Sequence, residues 1–204
     1  MTANPLHAEE FLRFIFAPGE LFEIRALECR GGDKVLVGVY NDPHIAAMDA
    51  AEMCDKYHGK VFYSINPVDP ESLYVGGRRI NNYQDSLRSL NSDSVLRRKH
   101  VLIDIDAERP AGICATDQEK ACTVVAANFL VASLLDLGSP QPLFVDSGSG
   151  SHLLQLVEGD LEDAAVSGYL RYLKAIAADL PGISIDLKVV DLPRIARLPG
   201  TFYR

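Results

Sequence analysis

The chain has 204 residues, 48% hydrophobic and 24% charged, enough for one large domain or two small modules with an ordinary globular balance. Its net charge of −8 excludes nucleic-acid binding driven by bulk positive charge, so any such contact must be local. No apolar run approaches the roughly 20 residues of a membrane span, so no membrane partner is expected. MTANPLHAEE has no basic start followed by an apolar block, so no secretory signal is expected either. Cys29, Cys54, Cys114 and Cys122 are scattered without a CxxC pair, which argues against structural zinc and fits a cytoplasmic location.

The spacing predicts a short amphipathic helix over residues 7–17, stopped by Pro18-Gly19. Two strands follow, LFEIRALEC from Leu21 and KVLVGVY from Lys34, joined by Gly31-Gly32-Asp33. Asp42-Pro43 opens a helix through Tyr57, with proline in its first turn. Residues 60–66 read as a strand, and the polar stretch 70–96 as an extended connector. His100 to Ile105 is a strand. Thr116 and Glu119 stand at capping-box spacing before an apolar helix to about Leu137, ended by Gly138 and Pro140. PLFVDSGSGSHLLQLVE gives two short strands around SGSGS. Asp160 is expected to cap a helix to about Leu180, and ISIDLKVV is the last predicted strand.

The second half thus reads β-α-β-β-α-β, the split βαβ order, which makes an antiparallel sheet with one face left for a site. The expected division is an α/β module at residues 1–95 and a split βαβ module at 96–204, forming one α+β domain over 1–204. The ending RLPGTFYR suggests a piece of a longer polypeptide.

Three patches carry chemistry. In RRKHVLIDIDAERP, residues i and i+2 of a strand share a face, so Asp104 and Asp106 project side by side, roughly 7 Å apart at the backbone. Two such carboxylates repel, and a divalent cation relieves the repulsion; hard oxygen ligands suit magnesium or manganese. Two solvated acids at a strand end fit the same pattern. In SGSGSHLLQLVE, Gly148 and Gly150 allow close backbone approach. The hydroxyls of Ser147 and Ser149 suit phosphate oxygens, and His152 needs a partner in its apolar strand. A plain glycine-serine hairpin turn fits equally well. In IDLKVVDLPRIARLPGT, Asp186 can complete a three-carboxylate cluster, Asp191 is a second acidic candidate, and Arg197 can hold a triphosphate. A surface pair of Asp191 with Arg194 is the alternative. Together the patches supply the equipment of two-metal nucleotidyl transfer.

The trio hhhDhD, SGxGxH and RhxRLPGT resembles the archaeo-eukaryotic primase superfamily, in its primase-polymerase branch. NPVDPESL and RRKHVLIDIDAERPAGICATDQE also look like the bifunctional primase-polymerase N-terminal domain, so the likeness covers much of the chain. The resemblance implies an N-terminal α/β module packed on an RRM-like palm. It implies a DNA-directed nucleotidyltransferase that makes primers, extends them, or both, on a single-stranded DNA template with dNTP or NTP substrates. By position, Asp104, Asp106 and Asp186 match the catalytic carboxylates that hold two Mg²⁺ or Mn²⁺ ions, with Asp186 ranked ahead of Asp191. Ser147, Ser149, His152 and Arg197 match nucleotide-binding positions. Some relatives carry a histidine or lysine after the RLPGT segment, where this chain has Phe202, Tyr203 and Arg204. Relatives often continue into a helical priming domain or a helicase.

For the nucleic acid, the cluster Arg78, Arg79, Arg97, Arg98 and Lys99 is the candidate phosphate track, and Phe62, Tyr63 and Tyr74 are candidate stacking rings. Two other functions stay open from sequence. One is a metal-dependent nicking enzyme or phosphohydrolase, against which the dispersed histidines count. The other is a catalytically inactive RRM-like binding module, against which an acid-bearing sheet face counts.

Overall fold

A computed structural model of the protein describes residues 2–30, 32–76, 79–85, 91–110, 113–157, 159 and 161–202, with backbone alone at 74–76. The chain is α+β with two antiparallel sheets. It divides into two compact units, Met1–Arg97 with Leu192–Arg204, and Arg98–Asp191.

In the first unit, helix α1 (Pro5–Ile15) starts two residues earlier than expected. Asn4 caps it by accepting the His7 N–H, and Pro5 sits where a missing N–H costs nothing. Strands β1 (Phe22–Cys29) and β2 (Lys34–Tyr40) form the predicted hairpin; Gly31 of its turn lies outside the described residues. Helix α2 (Pro43–Asp55) is capped by Asp42, whose carboxylate accepts from the N–H groups of His44 and Ile45. Strand β3 (Lys60–Ser64) pairs with β1. The stretch expected as a connector holds a short helix, α3 (Pro70–Gly76), a strand, β4 (Asn82–Asp85), and a 3₁₀ turn at Ser92–Ser94. The β4 segment NYQD pairs with β2 at the sheet edge, and with three of its four residues exposed it carries no apolar alternation to announce it.

In the second unit, β5 (His100–Ala107) is followed by α4 (Asp117–Asp136), β6 (Leu143–Asp146), β7 (Gly150–Leu156), α5 (Asp163–Ile176) and β8 (Ile183–Ile185). The capping box at α4 is complete: Thr116 accepts from the Glu119 N–H, and the Glu119 carboxylate accepts from the Thr116 N–H. Helix α5 begins at Asp163 after Glu162, later than expected, and Asp160 lies outside the described residues. The strand order is β6-β7-β5-β8 with every neighbour antiparallel, which is the split βαβ arrangement. Ile103 and Ile105 are fully buried, as are Leu130 of α4 and Leu170 and Leu173 of α5.

One strand departs from the sequence division. Strand β9 (Ile195–Arg197) pairs with β3 and completes the first sheet, in the order β4-β2-β1-β3-β9. Residues 192–204 therefore group with the first unit and not with the second. Three residues are too few to show a period, and the pairing is decided by tertiary context. Among the described residues, no helix is long and apolar enough to cross a membrane.

Candidate active site

The site is built on the central pair of the second sheet. Ser151 lies opposite Ile105, and the Ser151 and Thr123 hydroxyls hydrogen-bond at 2.9 Å, which turns this register position toward α4. Strand side chains alternate, so the neighbouring positions must face the other way. There His152 lies directly opposite Asp104, and Gly150 opposite Asp106. On the other flank Ile105 pairs with Ile185 and Asp106 with Ser184, and the Asp186 N–H donates to the Asp104 carbonyl at 3.0 Å. The same register carries Asp186 to the other side of Asp104. Asp104, Asp106, His152, Ser184 and Asp186 thus share one face of one sheet. Asp191 lies five residues beyond Asp186, past the end of β8.

The carboxylates feel one another. Burial holds Asp106 above the ordinary carboxylate range, and the Asp104 charge pushes it further up. Arg109 and His152 oppose the shift, while Asp186 adds to it. His152 is 8% exposed; its Nε2 lies 3.4 Å from Asp104 Oδ1, and its buried Nδ1 has no hydrogen-bond partner. Asp186 Oδ1 accepts the Lys188 N–H at 2.8 Å. Among the described residues, no three His, Cys, Asp or Glu side chains stand ready as a metal cage. The donor set is nonetheless one that hard divalent cations favour, since three carboxylates share a face and their mutual repulsion is visible at Asp106.

The SGSGS segment is a tight turn between β6 and β7. Ser147 Oγ accepts the Gly150 N–H, Asp146 Oδ1 accepts the Gly148 N–H, and Gly148 takes φ +95°. Ser149 is half-buried in the same turn. Gly150 has an internal reason to lack a side chain: a Cβ there would lie 2.5 Å from the Ile105 carbonyl oxygen and 3.2 Å from Asp106 Oδ1. The close approach is to the strand that carries the acids.

The remaining candidates fall elsewhere. Arg197 belongs to β9 of the first unit, 8% exposed, with its guanidinium carbon 5.8 Å from the centre of the Phe62 ring. Arg97, also in the first unit, pairs with Glu20 at 2.5 Å. Arg98 is no surface cation. Its side chain is 3% exposed, its Nε donates to the Leu161 carbonyl, and its guanidinium pairs with Asp163 at the start of α5. Arg79 is exposed, and Arg78 lies outside the described residues. Tyr63 is a core ring, edge-on to Phe11 at 5.0 Å, while Phe62 is half-buried; nothing is described of the Tyr74 side chain.

Two site neighbours were not picked out from sequence. Ser184 sits opposite Asp106, and Arg109 Nε and Nη1 donate to the carbonyls of Ile113 and Ala107 at 2.8 and 3.1 Å. Arg109 sits three residues past Asp106, but only the fold shows that its charge acts on that carboxylate. No protein-family model matches the chain, and no curated protein matches it either.

Proposed function

We propose that the chain is the catalytic domain of a DNA primase-polymerase, which transfers nucleotides to a growing strand under the direction of a single-stranded template. The observation that carries this is the gathering of Asp104, Asp106 and Asp186 with His152 on one face of one antiparallel sheet. In this reading the three carboxylates hold the divalent ions, Mg²⁺ or Mn²⁺. When bound, such ions lower the pKa of an attacking hydroxyl and neutralise charge on the leaving pyrophosphate. His152, with an unsatisfied ring nitrogen next to Asp104, donates to a phosphate oxygen of the incoming nucleotide. Ser147 and Ser149 flank that position from the turn.

The sheet supplies rigidity. Asp104 and Asp106 lie on a central strand paired on both sides, so their backbone cannot drift, and positioning accounts for much of a rate enhancement of this kind. Arg109 and His152 offset part of the negative charge while no cation is bound.

The test is primer extension on a single-stranded DNA template with Mn²⁺ and labelled nucleotides, with products resolved by length. Wild-type protein should add nucleotides and Asp104→Ala with Asp106→Ala should add none, while both give the same circular dichroism spectrum. Full incorporation by the double variant would remove the metal assignment. Cleavage of the template without nucleotides would favour a nicking enzyme, and metal-independent strand binding without synthesis an inactive binding module.

A further inference from the structure

We infer that a groove along the outer edge of β8 binds the phosphate backbone of the nucleic-acid strand on which this site acts. The inference rests on the reading proposed above and extends it to the partner. Strand β8 is the edge strand of the second sheet, and two cavities meet along it. One, of about 460 Å³, starts at Asp106 and is lined by Arg109, Ile113 and Ser184. The other, of about 600 Å³, is lined by Arg171 and Lys174 of α5 with Ala175, Ala178 and Gly182. Glu108 and Ser184 line both, so the two form one path leading away from the acids.

The charges along this path suit a polyanion. Arg171 and Lys174 are three apart on a helix and therefore neighbours on one face. Both are exposed, and neither is in an ion pair among the described residues. Arg109 is held in place by two carbonyl oxygens at the end nearest Asp106. A lysine in the last turn of a helix is favoured by the helix dipole alone. The dipole does not explain the wall of alanine and glycine that leaves these cations over an open cavity. Asp106 and Glu108 line the same path, so its three cations leave a local excess of one positive charge, against the overall sign of a chain of net charge −8.

Phosphates reach proteins in free nucleotides as well as in strands. Among the described residues no aromatic ring lines either cavity, so those residues offer no stacking slot for a base. An open path without such a slot suits backbone contacts, which position a strand without reading its sequence.

The test measures binding of a fluorescein-labelled 20-nucleotide oligothymidine by anisotropy, without metal, from 50 to 300 mM salt. The proteins compared are the wild type, Arg171→Gln with Lys174→Gln, and Arg171→Glu with Lys174→Glu. Each lost phosphate contact reduces the slope of log K against log salt by about 0.7 for a single strand. The glutamine pair should therefore lower the slope by about 1.4, and the glutamate pair should weaken binding at least tenfold. In primer extension, KM for the primed template should rise with kcat retained. Melting curves matching wild type establish that both variants fold. A wild type that binds no oligonucleotide overturns the inference, as does an unchanged slope in both variants. So does displacement of the oligonucleotide by nucleoside triphosphate from wild type but not from the variants, which would make this a nucleotide site. Groove-dependent strand binding by a wild type that incorporates nothing would sink the polymerase reading and leave the groove standing.

Discussion

Replacing Gly150 by alanine tests whether close packing of two strands fixes the position of Asp106. The added Cβ would sit 2.5 Å from the Ile105 carbonyl oxygen, a backbone atom. Relieving the contact requires the Ile105–Asp106 peptide to retreat by about 1 Å, since carbon-oxygen contacts settle near 3.5 Å. Overpacking of this kind costs about 1–3 kcal/mol. For a chain of this size that lowers the Tm by roughly 2–12 °C. The same retreat carries Asp106 with it, and a displacement near 1 Å in catalytic machinery lowers rates on the order of 100-fold.

Gly148→Ala is the matched control. That residue sits at φ +95° with nothing within 4 Å of its virtual Cβ, so alanine adds backbone strain of about 1–3 kcal/mol and moves no neighbour. Thermal melts should therefore show both variants destabilised, while primer extension should fall sharply in Gly150→Ala and by no more than a few-fold in Gly148→Ala. A Gly150→Ala protein that melts with wild type and extends primers at the wild-type rate would refute the packing argument.

Asp106 gives a pH prediction. Its folded pKa is raised by burial and by Asp104, so the folded state holds its proton more tightly than the unfolded chain, and stability is lost as pH rises from the unfolded value of 3.8 through the folded one. Asp106→Asn should therefore raise the Tm at pH 7 in the absence of metal, by the equivalent of less than about 1 kcal/mol after solvent screening. The gain should shrink in melts run toward pH 4, and a gain independent of pH would contradict it. Arg98→Ala should cost about 1–3 kcal/mol in denaturant unfolding, because it removes a buried donor to Leu161 and Asp163. The same variant should leave the salt dependence of oligonucleotide binding unchanged, and a reduced slope would return Arg98 to the surface role expected of it.

Much of the second unit was legible because its signals are local. The run HVLIDIDA gives both the strand and the shared face of its acids, and Thr116 with Glu119 gives the start of α4. Which face those acids take is settled by register, through Ser151 and Thr123, and a one-residue slip would reverse it. Strands β4 and β9 were missed because NYQD and IAR are short and sit at sheet edges, where pairing partners decide. Arg98 was misjudged because a basic run does not say which of its members is buried. The part played by Gly150 was only half visible: close approach was expected, but to a ligand and not to a neighbouring strand.

Because β9 closes the first sheet only after the whole of Arg98–Asp191 has intervened, a ribosome cannot finish that sheet early. At ordinary elongation rates the flank of β3 waits roughly 7–26 s for its partner. During that interval nascent chains on one message carry open strand borders that can zip to one another. Slow translation or dense polysomes should penalise this protein more than one whose sheets are completed in chain order.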